Sequence, residues 1–381
     1  MASPFRADHV GSLLRPAELL QARNDFTAGT ISAERLKEVE DAATLRALDM
    51  QKQAGIDVFS SGEYRRAGWA SAIRESVQGL VINTDTAAPA NRLLGQWQGP
   101  NAAMATAVTL PGGALVAGEK LRLAKRFAGE EAAFLKQHAP GSWKITMPGA
   151  YSAAGQLFKD GITDAAYASR KELAMDIIEM LKSEIDALIA DGCSYIQIDS
   201  LHYVERVADR TIRRRMIEDG EDPDAYLDEI IAADNAVLNH ARGRGVTVGL
   251  HMCRGNNRSA WHAEGSYEPV AERAFSQLNV DRFLLEYDTD RAGGFEPLRF
   301  MPKDKMVVLG LVSSKEPALE SVDALRGRIE EAAKYVPLEN LALSPQCGFA
   351  STMLGNLLTW EEQAAKLARV AETARAVWGN S

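Results

Sequence analysis

Short apolar runs rich in β-branched residues alternate with long helix-periodic stretches along most of this chain. The runs fall at 56–59, 143–147, 195–199, 246–250, 282–286, 306–310 and 341–344, with an eighth, less apolar candidate at 6–11. Strands that read as nearly continuous apolar runs suit a parallel sheet buried on both faces. Between them the spacing predicts helices. Leu173, Ile177, Leu181, Ile185 and Leu188 recur every three to four residues within 163–190, and Gly192 follows as a stop signal. Leu319, Val322, Leu325 and Ile329 repeat that spacing after Pro317, a residue suited to a helix start. Thr359 and Glu362 have the spacing of a capping box, and Gly379 ends the last helix. The alternation implies an α/β fold, and about eight strands in 381 residues fit a (β/α)8 TIM barrel. A doubly wound open sheet is the competitor. The absence of G-x-G-x-x-G after the first strand argues against its dinucleotide-binding version.

The stretch at about 80–124 breaks the pattern. It is rich in Ala, Gly, Thr, Asn and Pro, includes Leu93, Leu94, Gly95, Gln96 and Trp97, and is expected to be an insertion after the second strand with short strands of its own. The expectation is therefore a single barrel domain over 1–381 that carries this insertion. A hydrophobic fraction of 46% supports one large core. The net charge of −9 and the lack of a basic patch argue against a nucleic-acid partner. No apolar run approaches the ~20 residues of a membrane span, and residues 1–6 lack the apolar stretch of a signal peptide. Three cysteines, an odd number in a long chain, do not form a disulfide framework. A reducing, cytoplasmic setting is expected, where cysteines serve as metal ligands, nucleophiles or core residues.

His251 and Cys253 lie two apart at the end of a predicted strand, so both point to one side, toward the mouth of a barrel. Imidazole nitrogen and thiolate sulfur at this spacing suit zinc; a core cysteine beside an incidental histidine is the plain alternative. Glu286 ends the next strand and Cys347 ends the last one. Four donors from three strand ends can converge on one tetrahedral ion. Glu286 is also open to a role as a solvated acid or ion-pair partner. A free thiol, of pKa ~8.5, is mostly protonated at neutral pH, and coordination to zinc deprotonates it. Such a site would activate a substrate thiol, with Glu286 as the displaceable ligand.

Arg6-Ala7-Asp8-His9-Val10-Gly11-Ser12, Ser61-Gly62-Glu63-Tyr64-Arg65-Arg66, Ile196-Gln197-Ile198-Asp199, His251-Met252-Cys253, Leu285-Glu286-Tyr287 and Ser344-Pro345-Gln346-Cys347-Gly348-Phe349 run from residue 6 to near the end of the chain. In these motifs the sequence resembles the catalytic barrel of cobalamin-independent methionine synthase, in a short single-barrel form. The resemblance implies zinc held by His251, Cys253, Glu286 and Cys347, and transfer of an alkyl group to a thiol. It implies backbone contacts from Gly11 and Ser12 to a bound amino acid, and carboxylates of Glu63 and Asp199 receiving its ammonium group. Two carboxylates at strand ends are a sensible ammonium site, although Glu63 has Arg65 and Arg66 as nearby partners and Asp199 could cap a turn.

The sequence departs from the long enzymes of that family. It has no counterpart of their N-terminal half, reads Ser200-Leu201-His202 after Asp199, and reads Ser313-Ser314-Lys315 where they carry a proton-donating histidine. His202 is a candidate acid in its place. Trp143 is a candidate to stack on a flat donor or to fill the core. His9 could contact substrate, Arg6 and Arg15 could hold an anion or form surface pairs, and Asn256 and Asn257 are expected at the mouth. Cys193 reads as a small buried residue. The main expectation is methyl transfer to homocysteine from a methyltetrahydrofolate or a methyl corrinoid. The rivals are an epoxyalkane–coenzyme M transferase, for which Arg65, Arg66 and Arg254 would bind sulfonate, a demethylase, and a non-catalytic zinc- or corrinoid-binding barrel.

Overall fold

The computed structural model describes residues 5–83, 97–106 and 114–379. Strands β1 (Val77–Asn83) and β2 (Ala114–Leu123) pair antiparallel, apart from the rest. Strands β3 (Lys144–Pro148), β4 (Tyr195–Ser200), β5 (Thr247–Met252), β6 (Arg282–Glu286), β7 (Met306–Val312) and β8 (Leu341–Pro345) form a six-stranded sheet in chain order. Every neighbouring pair in it is parallel.

The first two runs of the sequence complete the ring with only single bridges. Ala7 bridges Leu343 of β8, and Phe59 bridges Trp143 just before β3, both parallel. The Asp57 N–H donates to the Ala7 carbonyl at 3.0 Å and joins these two segments to each other. Eight positions thus close a (β/α)8 ring, and the β1–β2 pair stands between the second and third of them. This is the insertion read from composition. Leu93, Leu94, Gly95 and Gln96 fall outside the described residues.

The helix Arg170–Asp191 buries Leu173, Ile177, Leu181, Ile185 and Leu188 and stops at Gly192, whose φ of 86° is left-handed. It starts later than its periodicity implied. The Ser169 side chain accepts the Glu172 N–H and begins the helix there, and Thr163–Ala165 forms a separate turn. Pro317 likewise does not open a helix. Ser321 caps Val322–Ala332 by accepting the Ala324 N–H, which leaves Leu319 exposed. The capping box at Thr359 and Glu362 is present on both sides, and Trp360–Trp378 ends at Gly379.

Strands β3, β4, β6 and β8 are buried along their whole length. Alternation turns Tyr195, Gln197 and Asp199 of β4 to one face and Leu284 and Glu286 of β6 to the corresponding one. Tyr195 packs with Phe5, Val10, Val58, Leu284, Val308 and Ala342 in a cluster separate from the main core. Gly249 of β5 makes room for it, because a Cβ there would lie 2.6 Å from the Tyr195 hydroxyl. The last residues of the strands are thereby left to build a mouth above a filled interior. Removing the hydroxyl of the final helix in Thr359→Ala should cost about 1 kcal/mol in urea unfolding, with metal content unchanged.

Candidate metal centre

Strand alternation and strand length fix this site. His251 is the next-to-last residue of β5, Glu286 the last of β6, and Cys253 and Cys347 follow β5 and β8. All four are buried, and one ligand atom from each lies within 4.8 Å of the others. The Cys253 and Cys347 sulfurs are 3.4 Å apart without a disulfide. The His251 Nδ1 faces the Leu284 carbonyl at 3.2 Å, while Nε2 is buried with no hydrogen-bond partner among the described residues. A ring pinned through one nitrogen, with the other aimed at two sulfurs and a carboxylate, is the arrangement a metal ligand adopts. The donor set fits a borderline-soft ion such as zinc.

Electrostatics around the cluster agree with that reading. Burial pushes the Glu286 carboxyl up, but Arg291, Arg254 and Lys315 outweigh it and hold Glu286 anionic. Its oxygens accept from the Arg254 backbone N–H at 2.8 Å and from Arg291 at 3.4 Å. The hydrogen bond from Cys253, opposed by burial and reinforced by His251, holds the Cys347 thiol well below the usual range. Cys253 is held well above it by the same hydrogen bond and by burial. Burial opposes charge on His251, yet Cys347, Asp199 and Glu286 push it up to about 9. The cluster therefore keeps protons that a bound cation would displace.

Loops are tied to one another so that the donors stay together. Arg15, read as an anion binder or a surface pair, is buried instead. Its guanidinium donates to the carbonyls of Glu63 and Arg66 at 3.1 and 2.8 Å and to those of Ala350 and Thr352 at 3.3 and 3.1 Å. Lys315 donates to Asn256 Oδ1 at 2.7 Å, which turns the Asn256 amide nitrogen to the Gly348 carbonyl, also at 2.7 Å. The two sulfur-bearing loops are joined in this way.

A pocket beside the cluster is lined by Ser12, Glu63, Asp199, His251, Cys253 and Cys347, with Trp69, Leu201, Asn256 and Ser351 around them. Glu63 has a left-handed φ of 61°, a strained conformation for a side-chain-bearing residue. Its Oε1 accepts from Thr146 at 2.6 Å, whereas Oε2 is buried with no hydrogen-bond partner among the described residues. Burial raises Glu63, and Arg66, whose nitrogen lies 3.8 Å from it, offsets only part of this. Burial also raises Asp199 to about 7, with Glu63 adding repulsion and His251 opposing it. Gly11 lies against Glu63 and Thr146: a Cβ there would be 2.6 Å from Thr146 Cγ2 and 3.5 Å from Glu63 Oε1.

Several expected residues lie elsewhere. Trp143 precedes β3, at the end of that strand away from the mouth, and packs in the main core, so it has no access to a ligand. His202 turns outward: its Nδ1 meets the Tyr226 hydroxyl at 2.6 Å, and burial, with Arg206 nearby, lowers it to about 3. It is held neutral and does not line the pocket. His9 is likewise lowered to about 3 by burial and bonds the Val58 carbonyl at 3.0 Å. Arg6 bonds the Leu341 carbonyl, and Arg65 pairs with Glu40 and Asp41. Arg66 pairs with Glu131, and Arg254 donates to Tyr267 and to the Glu286 and Gly265 carbonyls. No Lys or Arg lines the pocket among the described residues.

Trp69, Leu201, Ser351 and Glu205 were missed by sequence reasoning, because they sit on loops or an irregular turn with no periodicity. Glu205 belongs to the π-helical turn Tyr203–Ala208. It is buried, with Oε1 lacking a hydrogen-bond partner among the described residues, and burial, with Glu286 nearby, pushes it up to about 8. The π-helical turn that places it, three residues after the end of β4, has no mark in the sequence pattern.

A cluster of four side chains able to hold a metal ion, at the mouth of a (β/α)8 barrel, defines the class of this protein. Residues 161–376 match the family described as cobalamin-independent synthase, catalytic domain. An uncharacterized protein of Bacillus subtilis, YxjH, is 37% identical over 99% of this chain and 95% of its own length. The chain belongs to the cobalamin-independent synthase family. A methionine synthase of Sulfurisphaera tokodaii is 25% identical over 89% of this chain and 84% of its own. A putative vitamin-B12 independent methionine synthase from Listeria monocytogenes superposes over all of both chains with a TM-score of 0.71 at 27% identity. Among the described residues no helix is long and apolar enough to cross a membrane.

The centre predicts about one tightly held divalent ion per chain by elemental analysis after gel filtration. Cys347→Ala should lose it while retaining the far-UV circular dichroism of the wild type. Stoichiometric metal in that variant would contradict the assignment of the four ligands.

Proposed function

We propose that this chain is a zinc-dependent methyltransferase that moves a methyl group to the thiol of homocysteine and forms methionine. The observation that carries this reading is the adjacency of two features in one pocket. His251, Cys253 and Cys347 of the four-donor cluster line the same pocket as the carboxylates of Glu63 and Asp199, and His251 Nε2 has no hydrogen-bond partner among the described residues. Relatives named as methionine synthases support it.

His251, Cys253, Glu286 and Cys347 would hold a zinc ion, which when bound would lower the pKa of a thiol and keep its sulfur nucleophilic. Glu63 and Asp199 bind the ammonium group of the amino acid and so aim its thiol at the cluster. Gly11 and Ser12 supply backbone contacts to it. Arg254 and Arg291 already bond the Glu286 oxygens, which suits Glu286 to be the most weakly held donor. The methyl donor is a methyltetrahydrofolate or a methyl corrinoid.

The coenzyme M alternative needs a cation for its sulfonate. Arg65, Arg66 and Arg254 are each paired with other groups and do not line the pocket, and a sulfonate there would meet two carboxylates. His202, proposed from the sequence as an acid, is not part of this scheme. The cytoplasm, as expected from the cysteine content, is the compartment this reading assigns.

Two outcomes follow. Incubated with homocysteine and each methyl donor in turn, the zinc-loaded protein should produce methionine, and Cys347→Ala should reduce the rate at least about 1,000-fold. Turnover of coenzyme M in preference to homocysteine, or thiol-independent activity, would overturn the reading. Second, Asp199 must be ionised to attract an ammonium group, and its pKa is about 7. Homocysteine affinity should therefore strengthen as pH rises through about 7, and Asp199→Asn should flatten that step. An unchanged profile in the variant would remove Asp199 from the site.

A further inference from the structure

Below Asp199 lies a buried polar chain that reaches the base of the barrel. Lys144, the first residue of β3, is fully buried. Its Nζ donates to Asp8 Oδ1 at 2.8 Å, to Gln197 Oε1 at 2.8 Å and to the His9 carbonyl. Asp8 is held in turn by Arg282 at 3.2 Å and by the His9 N–H at 2.7 Å. Gln197 Nε2 donates at 2.7 Å to the Val10 carbonyl and at 2.7 Å to Asp199 Oδ1.

The orientation of the Gln197 amide is fixed by elementary donor chemistry. An ammonium group donates and never accepts. Facing Lys144, Gln197 must present its carbonyl oxygen, so its NH2 faces Val10 and Asp199. The flipped amide would set NH2 against an ammonium group, and its oxygen against a carbonyl and a carboxylate. We propose that Gln197, oriented by Lys144, is the positioning residue that holds the Asp199 carboxylate for recognition of the substrate ammonium group. The hydrogen bond occupies Oδ1 and fixes the carboxylate plane, which leaves the other oxygen to the ligand. Glu63 is held by an equivalent device, since its Oε1 accepts from Thr146 and Oε2 has no hydrogen-bond partner among the described residues. Each carboxylate thus has one oxygen tied to the wall.

This inference rests on the reading of the pocket as an amino-acid thiol site and names the residue behind its selectivity. Its test compares the affinities of zinc-loaded protein for homocysteine and for the des-amino analogue, the same thiol acid without its amino group. Gln197→Glu is nearly isosteric and keeps an oxygen toward Lys144, but cannot donate to an ionised Asp199. Gln197→Met removes the donor without adding charge. In calorimetric titrations the wild type should prefer homocysteine. In Gln197→Glu, and in Gln197→Met where the first variant does not fold, that preference should drop about tenfold or more. Affinity for the des-amino analogue and zinc content should not change. A merely structural role would weaken both ligands alike, and that result, or a preference retained in the variants, overturns the inference while leaving the proposed function standing. No preference in the wild type would overturn the amino-acid reading itself, and this inference with it.

Discussion

Two sulfurs, one imidazole nitrogen and one carboxylate are crowded within 4.8 Å in a buried mouth, and much of the surrounding structure serves that crowding. Without a cation the arrangement is costly, because several ionisable groups are buried together and the imidazole Nε2 has no hydrogen-bond partner among the described residues. The fold supplies opposing groups around them. Arg254 and Arg291 contact Glu286, and Lys315 ties the loop after β5 to the loop after β8 through Asn256. Fixing the donors before an ion or substrate arrives is how a site avoids the cost of reorganisation during reaction.

The barrel interior interleaves apolar and charged side chains, with Lys144 and Arg282 both lying over the Tyr195 ring. Tyr195, Leu284, Val308 and Ala342 make an apolar layer. Asp8, Lys144, Arg282 and Gln197 form a charged network in which each ionic contact also has a hydrogen bond. Asp199, Glu63 and the metal donors stand above. A buried ion-pair network seldom adds net stability over an apolar layer. Its upper end, Gln197, bonds Asp199, which gives it the positional purpose proposed above.

The four clustered side chains were legible in the sequence because each sits at or just after a strand end, and strand ends are marked by the apolar run that precedes them. His251, Cys253, Glu286 and Cys347 needed only that rule and the chemistry of their side chains. The second to eighth ring positions were legible for the same reason, whereas the first, at 6–11, is less apolar; the first two pair with β8 and the start of the third through a single bridge each. Direction was not legible for residues off the strands. His202 follows Asp199 by three positions, but a turn swings it to Tyr226 in the outer layer. Trp143 belongs to a ring strand but to its wrong end. Arg15 looked like a surface charge, and only the tertiary arrangement shows four carbonyls gathered around it.

The central claim is that these four side chains form one zinc site, and zinc K-edge X-ray absorption of the purified protein tests it most directly. The account predicts two sulfur neighbours at about 2.3 Å and two nitrogen or oxygen neighbours at about 2.0–2.2 Å. A zinc shell made only of nitrogen and oxygen would contradict it, since Cys253 and Cys347 would then lie outside the site.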